Sequence, residues 1–238
     1  MKRTKKLIIS ILVVILIGFV AVLGGMLFIS GGDLAQGEKN ILVCAIDESE
    51  QRPGMGACDM CFIVQINDGK IVNYTPVYPA KMTHPTAQEP QEAQSQGAGS
   101  QLLLHDSFWY TDNEQSMKYA KEIVEYQDNI TIDAVVAVNT EAIDAVISSA
   151  GQLSVNGTPI NTSGIDVVRE EQYDGGMSRG DAVLQLGSAL SDAAGDTEKR
   201  SSMVQSALDQ YNKGNIVMYP SGSFVSLLAT KGFENLFH

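Results

Sequence analysis

Hydrophobic and polar positions divide the chain near its start. Lys2, Arg3, Lys5 and Lys6 precede an uncharged run from Leu7 to Gly32. Its apolar heart, Leu7 to Ile29, predicts a helix ~34 Å long, enough to cross a hydrocarbon core of roughly 30 Å. A helix satisfies its own backbone groups in lipid. A cleaved leader would have a shorter apolar core, about 7–15 residues, ending at small residues. Here the run leaves through Phe28-Ile29-Ser30-Gly31-Gly32, without Ala-x-Ala spacing. The basic cluster stays cytoplasmic, which puts the remainder outside. The expected organisation is a basic tail and transmembrane helix over 1–30, a tether over 31–39, and one extracytoplasmic domain over 40–238.

Within that domain the pattern alternates between strand and helix. Asn40 to Ile46 is a near-continuous apolar run ending in Asp47, which suits a strand buried on both faces. After the loop Glu48 to Ala57, Met60–Ile66 and Lys70–Thr75 predict a hairpin across Asn67-Asp68-Gly69. Pro76, Pro79 and Pro85 are expected to stop regular structure, and His84 to Gln101 to form a mobile surface loop. Thr111 to Glu114 has a capping pattern ahead of a helix over Met117–Tyr126. Thr131–Val138 then predicts a strand, Ala142–Ser149 a helix ending near Gly151, and Gln152–Val155 a strand before the Asn156-Gly157 turn. Further helices are expected over Gly164–Glu171, from Ser178 to about Ala194, from Asp196 to Lys213 with Gly214 as its stop, and over Phe224–Thr230. Ile216–Tyr219 predicts the last strand. The sum is an α/β fold, a layered α-β-α domain with a mixed sheet.

Charge narrows the partners. The chain has 16 basic and 28 acidic residues. Four of the bases precede the apolar run, so the external part carries 12 against 28, a net −16. A field of that sign repels nucleic acid and anionic lipid headgroups, while leaving room for an anion in a local basic pocket. Three cysteines cannot build a disulfide framework. Cys58-x-x-Cys61 has the spacing of a redox or metal pair, but it lies where the chain reads as a strand (Met60 to Val64), and positions three apart on a strand face opposite sides, so the two thiols are expected to diverge. The expectation is small buried residues.

The candidate chemistry lies in the loop after the first strand, because open α/β sheets bind ligands beyond the carboxyl ends of their strands. Asp47, Glu48, Glu50 and Arg52 sit there, with Asp59 opening the next strand. Gathered carboxylates suit Mg²⁺, and Arg52 offers a planar fork for phosphate or carboxylate. A solvated polar loop is the plainer alternative. His105-Asp106 could form an acid/base pair, but adjacent residues seldom face each other, so a capping role for Asp106 or Ser107 is expected instead. Phe108, Trp109 and Tyr110 read as core or as a surface for sugar or lipid. Asn73, Asn129, Asn156 and Asn161 each head a glycosylation sequon.

Asn40 to Asp47, Asp59-Met60, the apolar hairpin and Pro79 together resemble the opening of LytR–CpsA–Psr proteins. Ser163 to Glu171, with Arg169, and Ser178-Arg179-Gly180-Asp181 resemble that family's later arginine-bearing segments. A closer resemblance is to an uncharacterised family of membrane-anchored archaeal and bacterial proteins carrying a domain of unknown function. Glu50-Gln51-Arg52-Pro53-Gly54-Met55-Gly56 is similar to its Glu-x-Arg-Pro-x-Gly-Gly signature. Pro76 to Pro79, Leu104-His105-Asp106-Ser107 and Arg169 to Gln172 are similar to its archaeal branch. Where the transferases have Pro-Arg-Asp, this chain has Pro79-Ala80-Lys81. Lys cannot reproduce the bidentate hold of Arg.

These resemblances imply a membrane-anchored cell-surface domain that binds a phosphate-bearing envelope precursor, such as a lipid-linked glycan. Arg52, Lys81, Arg169 and Arg179 would face the pyrophosphate, with Asp47 and Asp59 holding Mg²⁺. The alternatives are a LytR–CpsA–Psr-like glycopolymer phosphotransferase and a non-catalytic protein-interaction module of the envelope. Oligomeric state and catalysis stay open at this level.

Overall fold

The computed structural model describes residues 34, 36–155, 158–160, 172–173, 177–178, 189–190, 192–193 and 195–221. The expected transmembrane segment, the helices over Gly164–Glu171 and Phe224–Thr230, and most of that after Ser178 lie outside these residues. Among the described residues no helix is long and apolar enough to cross a membrane.

The strands are β1 (Glu38–Asp47), β2 (Ala57–Asn67), β3 (Lys70–Val77), β4 (Thr83–Gln88), β5 (Gln101–Leu103), β6 (Ala134–Asn139), β7 (Leu153–Val155), β8 (Thr158–Ile160), β9 (Gln172–Tyr173), β10 (Met177–Ser178) and β11 (Ile216–Tyr219). The described α-helices are α1 (Gln91–Ser95), α2 (Asn113–Asp128), α3 (Thr140–Ser149) and α4 (Thr197–Lys213), with 3₁₀ turns at Pro79–Lys81 and Leu104–Trp109. The principal sheet runs β11-β6-β1-β2-β3. β1 is parallel to β6 and antiparallel to β2, and β11 is antiparallel to β6. The fold is α/β with a mixed sheet.

The central strand is where the apolar run placed it. Ile41 to Asp47 are all buried, as expected for a strand paired on both edges and covered on both faces. On one face Leu42, Cys44 and Ile46 join Cys58, Cys61 and Ile63 of β2, Val135 and Ala137 of β6, and Met117, Ala120, Ile123 and Val124 of α2. On the other, Ile41, Val43, Ala45, Val136 and Val138 are buried too, and α3 and α4 pack on each other and against β6 and β11. The β2–β3 turn has Asp68 at φ 49° and Gly69 at φ 79°, the left-handed pair that a two-residue hairpin needs. α2 is capped by Asp112, whose carboxylate accepts from Glu114 N and Gln115 N. α4 is capped by Asp196 in the same way and stops at Gly214 with φ 82°, an αL stop that glycine adopts without strain.

Two sequence expectations fail here. The segment from His84 to Gln101 is no loose loop, for it forms β4, α1 and β5. His84 Nδ1 accepts from Thr86 N and Ala87 N, and Glu89 Oε1 accepts from Leu103 N at 2.7 Å. Buried side chains thus bond to the backbone of a segment whose composition reads as unstructured. Nor do Pro76 and Pro85 interrupt strands. Pro76 lies in β3, at the edge of the sheet, and Pro85 in β4, positions where a missing N–H leaves no ladder bond unmade.

Candidate functional site

The loop from Asp47 to Gly56 crosses the end of the sheet and lies against the 3₁₀ turn Leu104–Trp109. Two glycines allow that approach. A Cβ on Gly54 would collide with the backbone oxygens of Phe108 and Tyr110, and one on Gly56, at φ +133°, with the Asp47 carbonyl. The stretch Arg52-Pro53-Gly54-Met55-Gly56 is therefore a docking surface for the turn, and it seats Arg52 beside Asp106.

Arg52 is the hub. Its side chain is only 7% exposed, forms an ion pair with Asp106, and donates to Glu50 Oε2 at 3.1 Å. It also donates to the His105 carbonyl at 3.1 Å, and its guanidinium lies 5.1 Å from the centre of the Trp109 ring. His105 is the second cation. Its hydrogen bonds to Asp106 and Asp59, opposed by burial, raise its pKa from 6.5 to about 10. As imidazolium it donates from Nδ1 to Asp106 Oδ1 at 3.2 Å and from Nε2 to Asp59 Oδ1 at 3.1 Å. Asp106 is held below the usual carboxylate range: burial works against ionisation, but His105 and then Arg52 outweigh it. Behind them lies Glu89, 3% exposed, with Oε2 lacking any hydrogen-bond partner among the described residues. Burial, opposed by the Leu103 N–H and reinforced by the neighbouring Asp106 charge, pushes Glu89 up to about 7. Protonated, it is a donor facing Asp106.

The expected site residues thus separate. Arg52 and Asp59 come together, joined through His105 and Glu50. Glu50, Asp59 and His105 each offer a ligand atom, all within 4.8 Å of one another. Asp47 is fully buried at the end of β1, its Oδ1 accepting from Ser49 N at 2.9 Å and Ser49 Oγ at 2.6 Å. Glu48 turns the other way: its carboxylate accepts from Thr140 N, Thr140 Oγ1 and Glu141 N at the start of α3. Lys81 is exposed, on the 3₁₀ turn that packs beside Leu104–Trp109. Arg169 and Arg179 lie outside the described residues.

The expected capping role for Asp106 and Ser107 is not what the structure holds. The 3₁₀ turn has no side-chain cap, and Ser107 Oγ donates to the Leu104 carbonyl. The tight turn lets the neighbouring side chains of His105 and Asp106 meet, which strand or α-helical geometry would resist. The three cysteines are free and buried as expected, but the expected divergence of Cys58 and Cys61 fails. Cys58 and Cys61 are both buried with their sulfurs 3.0 Å apart. Register explains it: Met60 pairs with Ala45 but Cys58 with Ile46, so Asp59 is an extra residue in a β-bulge. The bulge turns a spacing of three into an effective spacing of two, and both thiols face the same way.

The chain matches the family described as "Protein of unknown function (DUF4012)" over residues 36–173. It belongs to that family. No curated protein matches it. Among solved structures it is similar to protein gbs0355 from Streptococcus agalactiae, at 15% identity and a TM-score of 0.53, over 84% of this chain and 74% of that one. It is also similar to TagV of B. subtilis, a LytR–CpsA–Psr family protein, at 14% identity and a TM-score of 0.50, over 84% and 83%. Such identities establish a shared fold, and function must be argued from the site.

Proposed function

We propose that this DUF4012 domain is held at the outer face of a membrane by the helix Leu7–Ile29 and there binds a phosphate-bearing, lipid-linked glycan precursor through a divalent cation. The observation that carries this reading is the charge balance around Arg52. Three carboxylates (Glu50, Asp59 and Asp106) face two cations (Arg52 and His105). That surplus repels a bare pyrophosphate, and Arg52 is already engaged with Asp106. A divalent ion held by Asp59 and Glu50 would reverse the sign. The donor set fits such an ion: two carboxylates suit Mg²⁺, and the proton now shared between His105 and Asp59 occupies the place of the added charge. Such an ion would neutralise pyrophosphate oxygens. Asp47, Arg169 and Arg179, at positions that resemble the transferase family, and Lys81, standing where that family has Pro-Arg-Asp, complete the proposed ligand set.

Binding ranks ahead of transfer because Pro79-Ala80-Lys81 lacks the arginine and acid of the Pro-Arg-Asp motif, and charge-stabilising donors supply nearly all of phosphoryl-transfer catalysis. The test is a titration of the full chain in detergent with a short polyprenyl pyrophosphate, with and without Mg²⁺. Mg²⁺ should tighten binding at least ~10-fold, about 1.4 kcal/mol, and Asp59→Asn should remove that gain. Equal affinity without metal, or no preference over the corresponding polyprenol, would sink the proposal and leave the protein-interaction module.

A further inference from the structure

The core beneath the site holds a second cluster. Cys44, Cys58 and Cys61 are each fully buried, and their three sulfurs lie within 4.8 Å of one another. Cys58 Sγ is 3.0 Å from Cys61 Sγ, and Cys61 Sγ is 3.5 Å from Cys44 Sγ. Three strand positions have thus converged. Cys61 sits directly across from Cys44, while Cys58 pairs with Ile46, two residues on.

We infer that these three cysteines form a trigonal thiolate site for a soft monovalent cation, cuprous copper. The first argument is geometric. A metal with three sulfur ligands at about 2.3 Å separates those sulfurs by ~4 Å, and the three sulfurs here lie between 3.0 Å and 4.8 Å from one another. A disulfide fits less well. For the directly opposed pair Cys44 and Cys61, Cβ atoms are typically about 4.5–5.5 Å apart. A disulfide needs Cβ atoms at roughly 3.5–4.5 Å, and either pairing would strand the third thiol.

The second argument concerns the missing fourth ligand. Zn²⁺ in a structural site takes four. Among the described residues the group is three sulfurs alone, within the same buried cluster as Leu42, Ile46, Ile63 and Phe108. Soft thiolates in such a setting select Cu(I), which is satisfied by three.

The test uses the full chain, purified reduced and without oxygen in detergent, titrated with Cu(I) against a chromophoric cuprous chelator. One equivalent should bind, with the luminescence of a solvent-shielded cuprous thiolate and a raised unfolding temperature. Cys44→Ser and Cys61→Ser should each lose that emission. Should either variant fail to fold, wild-type thiols provide the second measurement, since bound Cu(I) should slow their alkylation in mild urea. Four results would overturn the inference: loss of copper to the chelator, retention of the luminescence in a variant, a tetrahedral spectrum with one equivalent of Co²⁺, or a Cys58–Cys61 disulfide in a parallel preparation made without reductant.

Discussion

Replacing Arg52 by Met removes the charge at the centre of the site while keeping most of the side-chain length. Both partners of its ion pair with Asp106 are nearly buried, at 7% and 8% exposed. Breaking such a pair by removing one member costs about 3–5 kcal/mol, since the survivor is left charged in a low dielectric. Asp106 would keep His105 as a partner, which places the loss near the lower end. Glu50 is 40% exposed, so its share is small. The stacked guanidinium over Trp109 adds about 0.5–1 kcal/mol. The expected destabilisation is therefore ~3–4 kcal/mol. With a urea slope of about 2 kcal/mol per molar, that lowers the unfolding midpoint by roughly 1.5–2 M. Trp109 is the only tryptophan in the chain, so its fluorescence in a urea titration reports on this site. Arg52→Met with Asp106→Asn should recover a large part of the loss, because the buried charge is then gone. A single variant within about 0.5 kcal/mol of wild type, the range of ordinary surface changes, would refute the role of Arg52 as hub. So would strictly additive losses in the double variant.

Two further outcomes follow from the same geometry. The pKa of His105 is raised from 6.5 to about 10 and that of Glu89 from 4.5 to about 7, so the folded state binds more protons than the unfolded one in both intervals and stability falls as pH rises through them. His105→Gln should flatten the stability profile between pH 6.5 and 10, and Glu89→Gln that between 4.5 and 7, read by urea unfolding across pH; unchanged slopes would overturn the assigned protonation. Gly54→Ala should cost ~1–3 kcal/mol by overpacking against the Phe108 and Tyr110 carbonyls, whereas Gly97→Ala, with open space around it, isolates the backbone cost of a positive φ.

Periodicity and punctuation made most of the fold legible. The apolar run into Asp47, the Asp68-Gly69 turn, the Asp196 cap and the Gly214 stop are local signals, and each is found where the residues placed it. What escaped was set by partners distant in sequence. Glu89 holds the backbone of Leu103, and no pattern within His84–Gln101 announces that bond. Likewise Arg52 meets Asp106 across more than fifty residues, so the arginine could be marked as functional without its partner being visible. Gly54, following Arg52-Pro53, did hold a usable clue, because a glycine with no turn to make is often one over which another backbone must pass. The rule that adjacent side chains seldom meet suits helices and strands, but His105 and Asp106 lie on a 3₁₀ turn, where they do.

The bulge at Asp59 ties the two clusters together. Without the extra residue, Cys58 and Cys61 would face opposite sides of β2, and no three-sulfur group could form beneath the sheet end. The same insertion leaves Asp59 without a partner on β1, where it reaches His105 Nε2. A single irregularity in one ladder therefore supplies a carboxylate to the rim and a thiol to the core. Bulges beside functional sites re-aim side chains in this manner, and here the re-aiming acts on two adjacent residues at once. His105 closes the arrangement at the rim, bonding to Asp59 on one side and to Asp106 on the other, so the bulge that turns Cys58 inward is the same feature that brings Asp59 to the imidazole.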